Sequence, residues 1–137
     1  MELNHNMSIE QLENKIYPVV TDSTGLVFKI TSLRKKPIAD FSIEDMRICI
    51  SQNESLVYLI PLAINQLTKD ILAEGDFYEG DLIMAVIKSE KAFWAENKKL
   101  WQDIISLCEK NKKKIESSFC RKEFINCYET FKLIHKD

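Results

Sequence analysis

Apolar residues recur at intervals of three and four along most of the chain, the pattern of amphipathic helices. Leu56, Leu59, Ile60, Ala63, Leu67 and Ile71 keep this spacing over about four turns and predict the clearest helix. Pro61 lies inside it and predicts a kink, or the point where the helix proper starts. Cys120, Phe124, Cys127, Phe131 and Ile134 form a second stripe, in steps of four and three. Leu100, Trp101, Ile104, Ile105 and Cys108 form a third, opened by Asn97, with the basic run Lys110–Lys114 at its far end, where cations suit the helix dipole. Ser42 predicts the cap of a helix over about 43–52, with Ile43, Met46, Cys49 and Ile50 inward and Glu44 and Asp45 in its first turn. Ser8-Ile9-Glu10-Gln11 has capping-box spacing. It predicts a short helix over about 9–16 that carries Ile9, Leu12 and Ile16 and stops before Pro18.

Two regions are less regular. Residues 25–36 fit a strand through Leu26, Phe28 and Ile30, or a helix through Leu26, Ile30 and Leu33. A lone strand needs partners and no other convincing strand exists, which favours a helix stopped by Pro37. Asp22, Ser23 and Thr24 are each able to cap it. Further on, Asp81 or a near neighbour caps a helix through Leu82, Val86 and Ile87, with a break near Ser89. Phe93 and Trp94 then read as anchors of a short helical turn. The sum is an all-α fold: a compact bundle of about six or seven helices, one domain over residues 1–137, with residues 1–7 a frayed leader.

Composition narrows the class without choosing an activity. A chain of 137 residues fits one domain, and 45% hydrophobic with 29% charged residues is ordinary for a globular protein. Three glycines and three prolines exclude a linker-rich chain. No apolar run approaches the roughly 18 residues of a membrane span. The net charge of −2 lacks the basic excess of a nucleic-acid binder. It is divided unevenly: 8 basic against 14 acidic side chains in residues 1–90, and 11 against 7 in residues 91–137. An acidic front of this kind steers a basic partner, unless the bias is only a solvated surface. Cys49, Cys108, Cys120 and Cys127 show no CxxC spacing, and the start of the chain has no secretory apolar stretch. Reduced thiols in the cytoplasm are the expectation, with the cysteines as small core residues.

Catalytic constellations are scarce. The two histidines, His5 and His135, lie near the ends, far in sequence from a thiol they would need to activate. There is no GxSxG elbow and no phosphate-cradling glycine loop. Arg34-Lys35-Lys36 reads as a solvated helix end or a phosphate contact, and Trp94 and Trp101 as core residues or an exposed binding pair. The segment Glu74-Gly75-Asp76-Phe77-Tyr78-Glu79-Gly80-Asp81 places four carboxylates within eight residues, in a spacing that fails the EF-hand pattern. It admits three readings: a polar loop whose acids cap the next helix, a partner-binding surface, or a metal site.

Three stretches carry a family resemblance: Leu33-Arg34-Lys35-Lys36-Pro37 with Asp40-Phe41-Ser42-Ile43-Glu44-Asp45-Met46-Arg47; Gln52-Asn53 with Leu56-Val57-Tyr58-Leu59-Ile60-Pro61-Leu62-Ala63; and Glu74 through Leu82. Their order and spacing resemble the immunity proteins of contact-dependent growth inhibition (CDI) systems, from about Ser8 to about residue 108, with Glu90–Trp94 and Leu100-Trp101 also similar. The resemblance implies a bacterial, cytoplasmic antidote that binds the C-terminal toxin domain of a surface effector, often a nuclease, in a 1:1 complex. It implies no catalysis, no metal, no cofactor, and no direct contact with nucleic acid or membrane. Motifs shared by proteins that neutralise different toxins cannot encode which toxin is bound. Leu33–Pro37 and Leu59–Ala63 therefore read as scaffold, and Asp81 loses weight as a contact. Glu74, Asp76, Tyr78 and Glu79 are the candidate toxin-binding residues, with Glu10, Glu13 and Glu54 comparable acids outside the motifs. The competing classes are a small helical hydrolase with a metal on the 74–81 carboxylates, and a helical adaptor or chaperone.

Overall fold

The computed structural model describes residues 4–18, 25–118 and 120–135, and these form an all-α protein. The order is α1 (Ile9–Glu13), α2 (Gly25–Leu33), α3 (Ile43–Ser51), α4 (Leu56–Lys69), α5 (Asp81–Ile87), α6 (Lys91–Glu96), α7 (Lys98–Lys110), α8 (Lys112–Glu116) and α9 (Arg121–Lys132), with 3₁₀ turns at Ile38–Asp40 and Leu133–His135. Among the described residues no helix is long and apolar enough to cross a membrane.

Both predicted serine caps are present as full capping boxes. The Ser8 hydroxyl accepts from the Gln11 N–H and the Gln11 side chain accepts from the Ser8 N–H. Ser42 does the same with Asp45. The expected helix over 9–16 ends earlier, at Glu13. Asn14 takes the left-handed conformation (φ 53°) and turns its N–H back to the α1 carbonyls. Asparagine tolerates that region well, so Asn14 rather than Pro18 stops the helix. Ile16, expected inward, is 84% exposed as a result.

Residues 25–33 are helical, as the missing strand partner implied. The proposed caps Asp22, Ser23 and Thr24 lie outside the described residues. Part of the segment expected to be a loose leader is tied to the fold. The carbonyls of Met7 and His5 accept from the N–H groups of Ile38 and Ala39.

The core is built around α5. All seven of its residues are buried, because α3, α4 and α9 pack around it. A helix apolar all round belongs in an interior. α4 contributes Leu59, Ile60, Ala63 and Leu67 and runs through Pro61; Ile71, expected as its last turn, is buried in the loop that follows Lys69. Trp94 is fully buried. Its indole N–H donates to the Ser89 hydroxyl at 2.9 Å, and its ring meets Phe131 edge-on at 5.0 Å. Trp101 donates to the Phe131 carbonyl at 2.9 Å. Both tryptophans are thus framework residues. The lysine run does not close α7. Asn111 interrupts the helix, and Lys112–Glu116 forms the short α8, which buries Ile115.

Each cation of the Arg34-Lys35-Lys36 run finds an acid on a different segment: Arg34 with Glu54, Lys35 with Glu10, Lys36 with Asp45, at 2.7, 2.7 and 2.8 Å. The Arg34 guanidinium also stacks on Tyr17 at 4.0 Å. The run is a tie between segments rather than a solvated helix end.

Gly80 precedes α5 with φ +94°, and a Cβ there would sit 2.9 Å from the Cys120 Sγ and 3.3 Å from Leu72 Cδ2. Gly80→Ala is expected to lower stability by about 1–2 kcal/mol. Gly25→Ala, where nothing lies within 4 Å of the added carbon, is expected to be neutral or slightly stabilising. Urea midpoints of the two variants check this; equal midpoints would refute the role given to Gly80.

Candidate functional site

The acidic segment forms a surface loop between the end of α4 and the start of α5. Its approach is fixed by Ile71, Leu72 and Ala73, which are buried, and by the Gly80 N–H, which donates to the Leu72 carbonyl at 3.1 Å. Between these anchors, residues 74–79 project outward.

Two carboxylates set the loop's shape. The cap of α5 was expected at Asp81 or a near neighbour, and Gly80, the residue before it, occupies that position. Asp81 itself is only 3% exposed, its carboxylate turned back under the loop rather than facing water with its acidic neighbours. It accepts from the N–H groups of Gly75, Phe77 and Tyr78, at 2.6, 3.1 and 3.4 Å. Glu44, on α3, accepts the one between them, from Asp76 at 2.8 Å. Four consecutive N–H groups are therefore satisfied from inside the protein. Arg47 completes the arrangement. It grips Glu44 through Nε and Nη2, both at 2.6 Å, lies 3.9 Å from Asp81, and places its guanidinium 4.3 Å from the centre of the Phe77 ring. Gly75 is required by the closeness of this packing, since a Cβ would stand 2.5 Å from Glu44 Oε1.

The loop's own side chains have a different fate. Glu74, Asp76 and Glu79 are exposed, and among the described residues their carboxylates accept no hydrogen bond and form no ion pair. Tyr78 is half-buried, and burial pushes its phenol above the ordinary value. Phe77, which sequence reasoning passed over, is 68% exposed. The available signal was an aromatic residue set between acids in a loop.

The comparable acids elsewhere are occupied. Glu10 binds Lys35 and the Tyr17 N–H; Glu13 accepts from the Tyr17 and Ser55 hydroxyls; Glu54 binds Arg34. Of the front-half acids singled out from the sequence, the loop holds those left available.

Neither of the other chemistries gains support from this geometry. Among the described residues no three His, Cys, Asp or Glu side chains come together as a metal site. Asp81 faces inward, away from its three acidic neighbours on the loop. Burial pushes the Cys49 and Cys108 thiols up to about 12, which keeps them protonated and unreactive. The His135 ring lies 2.7 Å from the Trp94 carbonyl and edge-on to Trp101.

Beside the loop runs a groove of about 410 Å³, lined by Arg47, Ser51, Phe77, Tyr78, Met84, Ala85 and Lys88, with Asp81 at its base. The protein thus carries a braced acidic loop with an adjoining groove on one surface. The family model of the CDI immunity proteins matches residues 11–104, and the chain belongs to that family. No curated protein and no solved structure matches it.

The ion pair beneath the loop gives a pH signature. The Arg47 hydrogen bonds hold the Glu44 carboxyl below the usual carboxylate range, against the opposing effect of burial. Its stabilisation is therefore complete above the unfolded value, roughly 4.3, and is lost as pH falls through the lower folded value. Glu44→Gln is expected to melt below the unmodified protein at pH 6–7, with the gap closing below about pH 4. Melting curves from pH 3 to 7 check this, and a gap that stays constant to pH 3 would refute it.

Proposed function

We propose that this protein is a stoichiometric inhibitor acting in the bacterial cytoplasm. It binds the C-terminal toxin domain of a CDI effector in a 1:1 complex and blocks it without turnover. The toxin domain is a nuclease, and the loop from Glu74 to Glu79 is part of the surface that meets it. The observation that carries the reading is the set of exposed carboxylates at Glu74, Asp76 and Glu79, which accept no hydrogen bond and form no ion pair among the described residues, on a backbone held by Asp81 and Glu44. A nuclease must present a cationic surface to hold phosphates. Fixed acids complement such a surface, and a preformed loop avoids the cost of ordering one on binding. The residues 1–137 act as one domain in this role, and Tyr78 supports the loop from its half-buried position.

Isothermal titration against the toxin domain encoded directly upstream, made catalytically inactive, is the direct test. A 1:1 complex of nanomolar affinity or tighter is expected, roughly −12 kcal/mol or below. No heat at several temperatures, with the toxin domain shown to be folded, would overturn the reading. The double variant Glu74→Lys/Asp76→Lys is expected to weaken binding roughly tenfold or more, through a slower on-rate with less salt dependence. Unchanged affinity would remove these two acids from the interface.

A further inference from the structure

The groove beside the loop has an unusual inventory. Most of the polar groups in its walls are already engaged. Arg47 spends Nε and Nη2 on Glu44, and Asp81 takes three loop N–H groups. The Ser51 hydroxyl donates to the Ile48 carbonyl, and Lys88 pairs with Glu123 at 3.0 Å. What remains for an apolar occupant is chiefly the Phe77 ring, 68% exposed on one wall, above a floor formed by the buried Met84 and Ala85 of α5. A small anion finds its two cations already neutralised. The loop that carries Phe77 into the groove wall adds the exposed acids Glu74, Asp76 and Glu79 beside it, which disfavour such an anion.

We propose that this groove receives an apolar side chain carried by a cationic segment of the protein partner. The argument rests on the immunity reading and deepens it. The exposed Phe77 ring supplies most of the contact area, over a floor formed by Met84 and Ala85, and the loop acids draw in the Lys or Arg residues that flank the inserted side chain. Arg47 is a positioning residue: it holds the Phe77 ring upright as the groove wall and pins Glu44 under the loop. The division of labour follows from the physics. Apolar insertion resists dissociation, whereas rim charges govern encounter.

The test is a kinetic binding measurement with the same inactive toxin domain, over a range of salt concentrations. Two variants probe the groove. Ser51→Trp, at an exposed position on the lining, fills it; Phe77→Ala, also exposed, removes a wall. Melting curves verify that both fold. Each is expected to weaken binding roughly tenfold or more by faster dissociation, with the salt slope of the on-rate unchanged. Affinity within about twofold of the unmodified protein for both variants would overturn the groove proposal and leave the immunity reading standing. Failure of the unmodified protein to bind would overturn both. A chain that is dimeric alone and becomes monomeric on Ser51→Trp would also overturn the proposal, with a second copy as the occupant.

Discussion

The carboxylate of Asp81 is the point on which core and surface both depend. A buried charge is costly unless it is paired and hydrogen-bonded. Here three loop N–H groups and the nearby Arg47 supply those partners. The same residue is the first of α5, the buried helix against which α3, α4 and α9 pack. Loss of this carboxylate would therefore leave N–H groups unsatisfied beneath the loop and disturb the entry to the central helix together. Glu44 extends the arrangement to α3, so that the loop is held from two helices at once.

Pairing elsewhere decides which charges the protein shows. Arg34, Lys35 and Lys36 each neutralise an acid brought from another segment, and Asp45 is held below the usual carboxylate range. Burial would raise its pKa, but the hydrogen bonds from Lys36 and the Ser42 N–H outweigh that effect. These ties join the start of the chain, α2, α3 and the turn before α4. The overall charge of −2 thus understates the local field. Internal pairing removes Glu10, Glu54 and Asp45 from the exposed set, whereas Glu74, Asp76 and Glu79 stay exposed and form no ion pair among the described residues.

Legibility in the sequence followed the range of the forces involved. Capping boxes at Ser8 and Ser42 are local devices, and the 3.6-residue stripes of α4, α7 and α9 are local patterns, so the helices and their all-α character could be read directly. Helix ends were harder. Asn14 stops α1 through a backbone conformation that periodicity does not report, and Asn111 separates two helices where only a basic run was visible. The site was half legible. Four carboxylates in eight residues marked the loop, but their spacing could not say that Asp81 would turn inward while its neighbours stayed out. That outcome depends on Glu44 meeting the Asp76 N–H across 32 positions of sequence, and on Arg47 reaching Phe77. The chain beyond the matched residues proved integral to the core, since Phe131 packs directly against Trp94.

The loop is gripped almost wholly by its main chain. Asp81 and Glu44 bind amide hydrogens at four successive positions, and an amide is common to every residue except proline. The side chains at 74, 76 and 79 are therefore decoupled from what gives the loop its form, whereas Phe77 is held through its ring by Arg47. Exchange at these acidic positions would redraw the exposed surface while the underlying geometry persists. Such a surface can be revised one residue at a time, with little penalty to folding.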